Sequence, residues 1–207
     1  MSRSHRTSRA RLLAWTVICC AGAACLTPAA QAAFEFSSAP QLPTLTTVKL
    51  NGASQTVDST MTSFAVIDTR GTKSGWNITA QGQTGTGKSA VFKQYCPKAK
   101  CGSESEGYVT GGQTMAANSL KLNSTGASLK GGTGSAPTFQ CSAGCNLDSA
   151  TAVKIVSAAT GGAGEGTWTT SGFSTSSLAL TVPTTLRALA NEEVYRVNIL
   201  WTLSSGP

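Results

Sequence analysis

The chain has 207 residues and a formal net charge of +7, with 12% charged residues, 22 glycines and a single histidine. Four of its 16 basic residues (Arg3, Arg6, Arg9 and Arg11) stand at the very start with no acid among them, so the rest of the chain is less basic than the total suggests. A nucleic-acid role thereby loses its main support, and chemistry that needs histidine has only His5 to draw on.

The opening MSRSHRTSRAR runs into the apolar LLAWTVICCAGAACL and then TPAAQAA. A basic start, a short apolar stretch and the small-residue site Ala30-Gln31-Ala32 predict a secretory signal peptide over residues 1–32, cut before Ala33. The apolar run is too short for a stable membrane span. Lipid attachment at Cys25 is disfavoured because Gly22 stands where a lipoprotein signal needs a residue such as Leu. Cleavage removes His5 and the four arginines, leaving 12 Lys/Arg against the 9 Asp/Glu, a balance of +3. Of the 7 cysteines, Cys96, Cys101, Cys141 and Cys145 remain. An even count in an oxidising compartment reads as two disulfides. Three connectivities are open; the local pairs are favoured because each brackets a turn-like stretch, PKAK and SAG. The rival is a four-thiolate zinc site, whose usual spacings differ.

Residues 33–207 suit one domain. TTVKLNGASQTV holds two short runs joined by Asn51-Gly52, which predicts a hairpin. SFAVID, SGWNITAQ, TAVKIVSA, GTWTT and SLALTV follow as strand-length runs bounded by Gly, Pro, Asp or Ser, with almost no helical periodicity. The C-terminal run VYRVNILWTL predicts one strand. Tyr195, Val197, Ile199, Trp201 and Leu203 share a face, Arg196, Asn198 and Thr202 take the other, and Leu200 breaks the alternation. These patterns predict an all-β fold, an antiparallel β-sandwich of Ig-like or Greek-key type with long irregular loops. Residues 97–137 are the least patterned and read as loops, within a Gly/Ser-rich, Cys-containing insertion at about 85–150.

GQTGTGKS, Gly82 to Ser89, matches the phosphate-loop pattern. A working phosphate loop needs a buried parallel strand before it and a helix after it. GWNITAQ alternates like an antiparallel strand, and AVFKQY has room for two helical turns at most before Cys96 and Pro97. The match reads as a flexible Gly-Thr loop, and no nucleotide is expected.

Two stretches together carry a family resemblance. FAVIDTRGTKSGWNITA holds a D-x-R-G turn (Asp68, Arg70, Gly71) leading to Trp76, and the C-terminal stretch ends in a Y…W-x-L strand. Between them, GGAGEGTW (Gly161 to Trp168) is a glycine turn before a strand. The pattern resembles the WxL domain, which Gram-positive bacteria use to hold secreted proteins non-covalently on the cell wall. Trp201-Thr202-Leu203 fits the motif fully; Trp76-Asn77-Ile78 carries Ile where the motif has Leu. The resemblance implies a secreted cell-surface protein without enzymatic activity or cofactor. Its implied partners are peptidoglycan and attached wall polymers, together with a membrane-anchored WxL-interacting protein.

Lys93, Lys98 and Lys100 cluster around Tyr95 in the first cysteine loop, a candidate contact surface for sugars and anionic groups. Trp76 and Trp201 lie on apolar faces and read mainly as core. Asp68 and Arg70 read as a turn-stabilising side chain and a local ion pair. The other carboxylates are scattered. Two alternatives stand beside wall binding: a structural subunit whose last strand adds to a neighbour's sheet edge, and a secreted carbohydrate-active enzyme using two of these carboxylates.

Overall fold

The computed structural model describes residues 32–98, 101, 106–190 and 192–207. Residues 1–31 of the expected signal peptide, and Lys100, lie outside the described residues. Fifteen strands follow one another, and no helix occurs among the described residues. They are β1 (Phe34–Ser38), β2 (Gln55–Ser59), β3 (Ala65–Asp68), β4 (Trp76–Gly82), β5 (Lys93–Cys96), β6 (Gly107–Tyr108), β7 (Leu120–Leu122) and β8 (Ser128–Thr133) in the first part. The second part holds β9 (Thr138–Phe139), β10 (Cys145–Asn146), β11 (Val153–Ala158), β12 (Glu165–Ser171), β13 (Leu178–Val182), β14 (Val194–Arg196) and β15 (Ile199–Ser205).

Four sheets result, with orders β1-β3-β12-β8, β10-β7-β13-β2, β15-β4-β11-β9 and β14-β5-β6. Each ladder is antiparallel, an all-β architecture consistent with a sandwich. Alternation in sequence becomes alternation in burial: along β4, Trp76, Ile78, Ala80 and Gly82 are buried while Asn77, Thr79 and Gln81 are half-exposed. One continuous core joins the inner faces, with Val66 and Trp168 from the first sheet, Leu120, Leu122 and Leu178 from the second, and Trp76, Ile78 and Val156 from the third.

Most strands pair with partners far away in the chain, and this corrects three expectations. The Asn51-Gly52 hairpin does not form. Asn51 Oδ1 instead accepts from the Ala53 amide at 3.0 Å, a turn closed locally, and β2 pairs with β13. The stretch 97–137 is not loop throughout. β7 lies inside its sheet between β10 and β13, and Leu120 and Leu122 are fully buried on either side of the exposed Lys121. The C-terminal run is two strands in two sheets, because Asn198 interrupts it. The Asn198 amide donates to Ser89 O, and its side-chain oxygen accepts from the Ser89 amide and the Tyr108 hydroxyl. The shared face nevertheless holds: Tyr195, Val197, Ile199, Trp201 and Leu203 all pack against the core, and Leu200 is exposed.

The phosphate-loop lookalike leaves an antiparallel strand and turns back towards β5, with the Lys88 amide donating to Gly85 O. Its first glycine has a packing reason, since a Cβ at Gly82 would overlap the carbonyl of Ala90 where the chain recrosses β4.

Candidate functional site

The two tryptophan motifs are brought side by side. β4 and β15 pair in register, so Leu203 stands opposite Ile78, Trp201 opposite Ala80 and Thr202 opposite Thr79. Both tryptophans point to the inner face of the sheet, Trp76 at one end of the ladder and Trp201 near its middle. Trp76 is fully buried, and its indole N–H donates to Gly164 O at 3.0 Å. That bond joins the proximal motif to the glycine turn, 88 residues away in sequence. Gly164 has φ +76°, and a Cβ there would overlap the indole nitrogen. Trp201 is half-buried, its ring centroid 6.3 Å from that of Phe64.

The D-x-R-G turn locks the same corner. Arg70 grips Asp68 with two parallel bonds, Nε to Oδ1 at 2.9 Å and Nη2 to Oδ2 at 2.8 Å. Its Nη1 reaches Ser205 Oγ at 2.8 Å, and the guanidinium carbon lies 3.5 Å over the Phe34 ring. The Arg70 bond holds the Asp68 carboxyl below its usual range, against the opposing effect of burial. One side chain thus ties β1, β3 and the end of β15 together, as a structural clasp.

The sequence-selected contact residues meet other partners than expected. Lys93 and Tyr95 share the outer face of the sheet β14-β5-β6, because Arg196 stands opposite Lys93, and Val194 and Tyr108 both stand opposite Tyr95. Arg196 rather than a lysine lies over the Tyr95 ring, at 4.5 Å. Tyr108 meets that ring edge-on at 5.2 Å. The Tyr95 hydroxyl donates to Glu106 at 2.8 Å, which holds the phenol proton and raises its pKa. Val194 is 45% exposed, and Lys98 is exposed beyond β5. Tyr108, Arg196 and Val194 are the residues missed by sequence reasoning. Their signal is the alternation of Val194 and Arg196 around the inward Tyr195.

Cys96 bonds Cys101, and Cys141 bonds Cys145, the two local pairs. Several carboxylates have separate structural partners, while Glu165 keeps one buried oxygen without a hydrogen bond. Glu193 accepts from Gln94, and the fully buried Asp148 accepts from the amides of Ser119 and Leu120, each at 2.9 Å. No cluster of three or more potential metal ligands exists among the described residues.

A family model described as "WxL domain surface cell wall-binding" matches residues 29–207, which span both motifs, the clasp and the outer patch. The chain belongs to the WxL domain family. Comparison with curated proteins and with solved structures gave no match. The WxL family is a wall-binding one rather than an enzyme family, and general attachment to the cell wall is what membership gives this chain. In this WxL domain the proximal motif tryptophan is a core residue, and the distal one is buried on one side.

Proposed function

We propose that this WxL domain holds its protein on the cell surface by binding peptidoglycan non-covalently, with the outer face of β14, β5 and β6 as the contact. The observation that carries this reading is the division of the aromatic residues. Trp76 and Trp168 are enclosed in the core, whereas Tyr95 and Tyr108 sit half-exposed beside Arg196 and Lys93. Flat rings stack on sugar faces, and Arg and Lys pair with stem-peptide carboxylates or with phosphates of attached polymers. Export through the predicted signal peptide would put the domain where those ligands are.

The test is co-sedimentation of purified residues 33–207 with washed sacculi, before and after removal of the anionic polymers. Retention on stripped sacculi, reduced by Arg196→Ala or Tyr95→Ala in proteins of unchanged melting temperature, supports the reading. A folded protein that stays in the supernatant with both preparations overturns it. Binding only to unstripped sacculi would reassign the ligand to the anionic polymer.

A further inference from the structure

Each of the four sheets has two edge strands, and seven of the eight are guarded against pairing with another chain. An unpaired edge offers a row of free amides and carbonyls, and proteins blunt it with charge, bulges or shortness. β1 carries Glu35 and a register shift, and β8 carries Lys130, adjacent glycines and a shift. β2 carries Asp58. β6, β9 and β10 have two residues each, and β14 has three, including Arg196. β15 has none of these devices. Its seven residues, ILWTLSS, carry no charge and no proline, and they pair with β4 without a register shift.

The bonding phase of β15 is set at both of its ends. Gln83 N donates to Asn198 O, and Gly206 N donates to Gly75 O. Bonded pairs alternate along an antiparallel ladder, so Leu200, Thr202 and Ser204 direct their backbone groups to β4. Ile199, Trp201, Leu203 and Ser205 then direct theirs to the open edge. The side chains of Trp201 and Leu203 are only half-buried, and Leu200 is 39% exposed.

We propose that β15 is a dimerisation edge, and that its occupant is β15 of a second copy of this chain. The pattern is self-complementary about Thr202. In an antiparallel pair related by a two-fold axis, Thr202 faces Thr202 of the other copy as a non-bonded pair. Trp201 then faces Leu203 on both sides of the axis as a bonded pair, which is the phase that the outward backbone groups require. The same register joins an aromatic to an aliphatic side chain twice, a favourable cross-strand combination. The two motif sheets become one continuous sheet, with the distal motif of each copy at its centre.

Light scattering after size exclusion, over about 1 to 100 μM, tests this. The expected result is a mass that rises from one copy to two. Thr202 is exposed, so Thr202→Lys leaves the monomer's core intact and sets two like charges face to face across the axis. That variant and Thr202→Glu should each remain at single mass over the same range, and their equimolar mixture should regain the doubled mass. Leu200→Lys, also on the outer face, gives an independent variant in case one fails to fold. A native protein of constant single mass overturns the proposal, as does a folded Thr202→Lys protein that dimerises like the native one. Sacculus binding is read separately, so failure of wall attachment and failure of dimerisation are distinguished.

Discussion

The indole N–H of Trp76 ends on the carbonyl of Gly164 at 3.0 Å, inside the core. The Trp76 motif and the glycine turn are therefore two halves of one contact. The glycine turn has no side chain because the motif indole fills that space, and the indole has a partner because the turn presents a carbonyl. Removing the ring opens a large buried void, so Trp76→Ala should lose about 3–5 kcal/mol in chemical denaturation. Gly164→Ala, which strains a positive φ and pushes on the same ring, should lose more than about 1 kcal/mol. Wall binding per folded molecule should stay unchanged in both. A stable Trp76→Ala protein with selectively lost binding would make the indole a ligand contact instead.

The Asp68–Arg70 clasp predicts a pH dependence of definite sign. The folded-state pKa of Asp68 is lowered from its ordinary value of 3.8, chiefly by the Arg70 bond. Its contribution is therefore fully present above that value and disappears as pH falls through the lower folded-state value. Asp68→Asn should cost about 1.5–3 kcal/mol at neutral pH, the range for a hydrogen bond to a charged group. The gap between native and variant should narrow as denaturation curves are taken to about pH 2. A gap independent of pH would assign the loss to packing alone.

Much of this fold is readable from local alternation, because a half-buried strand carries its burial pattern in its own residues. GWNITAQ and SLALTV show this, each with its apolar residues two apart and buried. Pairing is different, since β5 with β6 is the sole ladder formed by consecutive strands among those described. Asn51-Gly52 reads as a hairpin because turn chemistry is local, yet the partner of β2 lies more than a hundred residues away in β13. Leu120-Lys121-Leu122 is too short to show a period, and its place inside a sheet comes entirely from long-range neighbours. The contact patch divides in the same way. Lys93 and Tyr95 are visible as a local cluster, whereas Arg196 joins them through a register that spans about half the chain.

That register gives the patch a testable chemistry. Tyr95 presents a ring beneath Arg196 and a hydroxyl bonded to Glu106. If stacking on sugar carries the contact, Tyr95→Phe keeps the ring and should retain sacculus binding within about threefold. Tyr95→Ala should lose it by tenfold or more, about 1.4 kcal/mol. The charged part should show in salt: native binding weakens as ionic strength rises, and Arg196→Ala flattens that dependence. Equal losses for the Phe and Ala variants would place the hydroxyl, not the ring, at the contact.

The disulfides close short loops of sequence separation 5 and 4, so each restricts the unfolded chain only modestly, by about 2 kcal/mol. Their loss should differ in kind. Cys96 and Cys141 are both buried, but of the two only Cys141 lies in the core cluster, so replacing Cys141 and Cys145 with Ser sets a polar hydroxyl in the core and should lower the melting temperature more than the Cys96/Cys101 double replacement. The Cys96/Cys101 variant should instead show its effect on sacculus binding, because that loop leaves β5 beside the tyrosine patch. Equal melting temperatures would mean that a hydroxyl in the core at Cys141 costs no more than one buried at the end of β5 at Cys96.

Asp148 offers the counterpart to the clasp, with the opposite sign. It is fully buried, and burial raises its folded-state pKa against the lowering effect of the backbone amides it accepts from. A raised pKa means that the folded protein takes up the proton first, so this group favours folding more as pH falls through the folded value towards the unfolded one. Asp148→Asn removes that titration but keeps the size. It also turns one acceptor of the Ser119 and Leu120 amides into a donor, setting N–H against N–H at the start of β7. The variant should be less stable than native by about 1–3 kcal/mol at neutral pH. Denaturation between about pH 7 and pH 4 should show the native protein gaining on the variant as acid is added. A native advantage that shrinks over that interval would mean that the amides outweigh burial at this carboxylate.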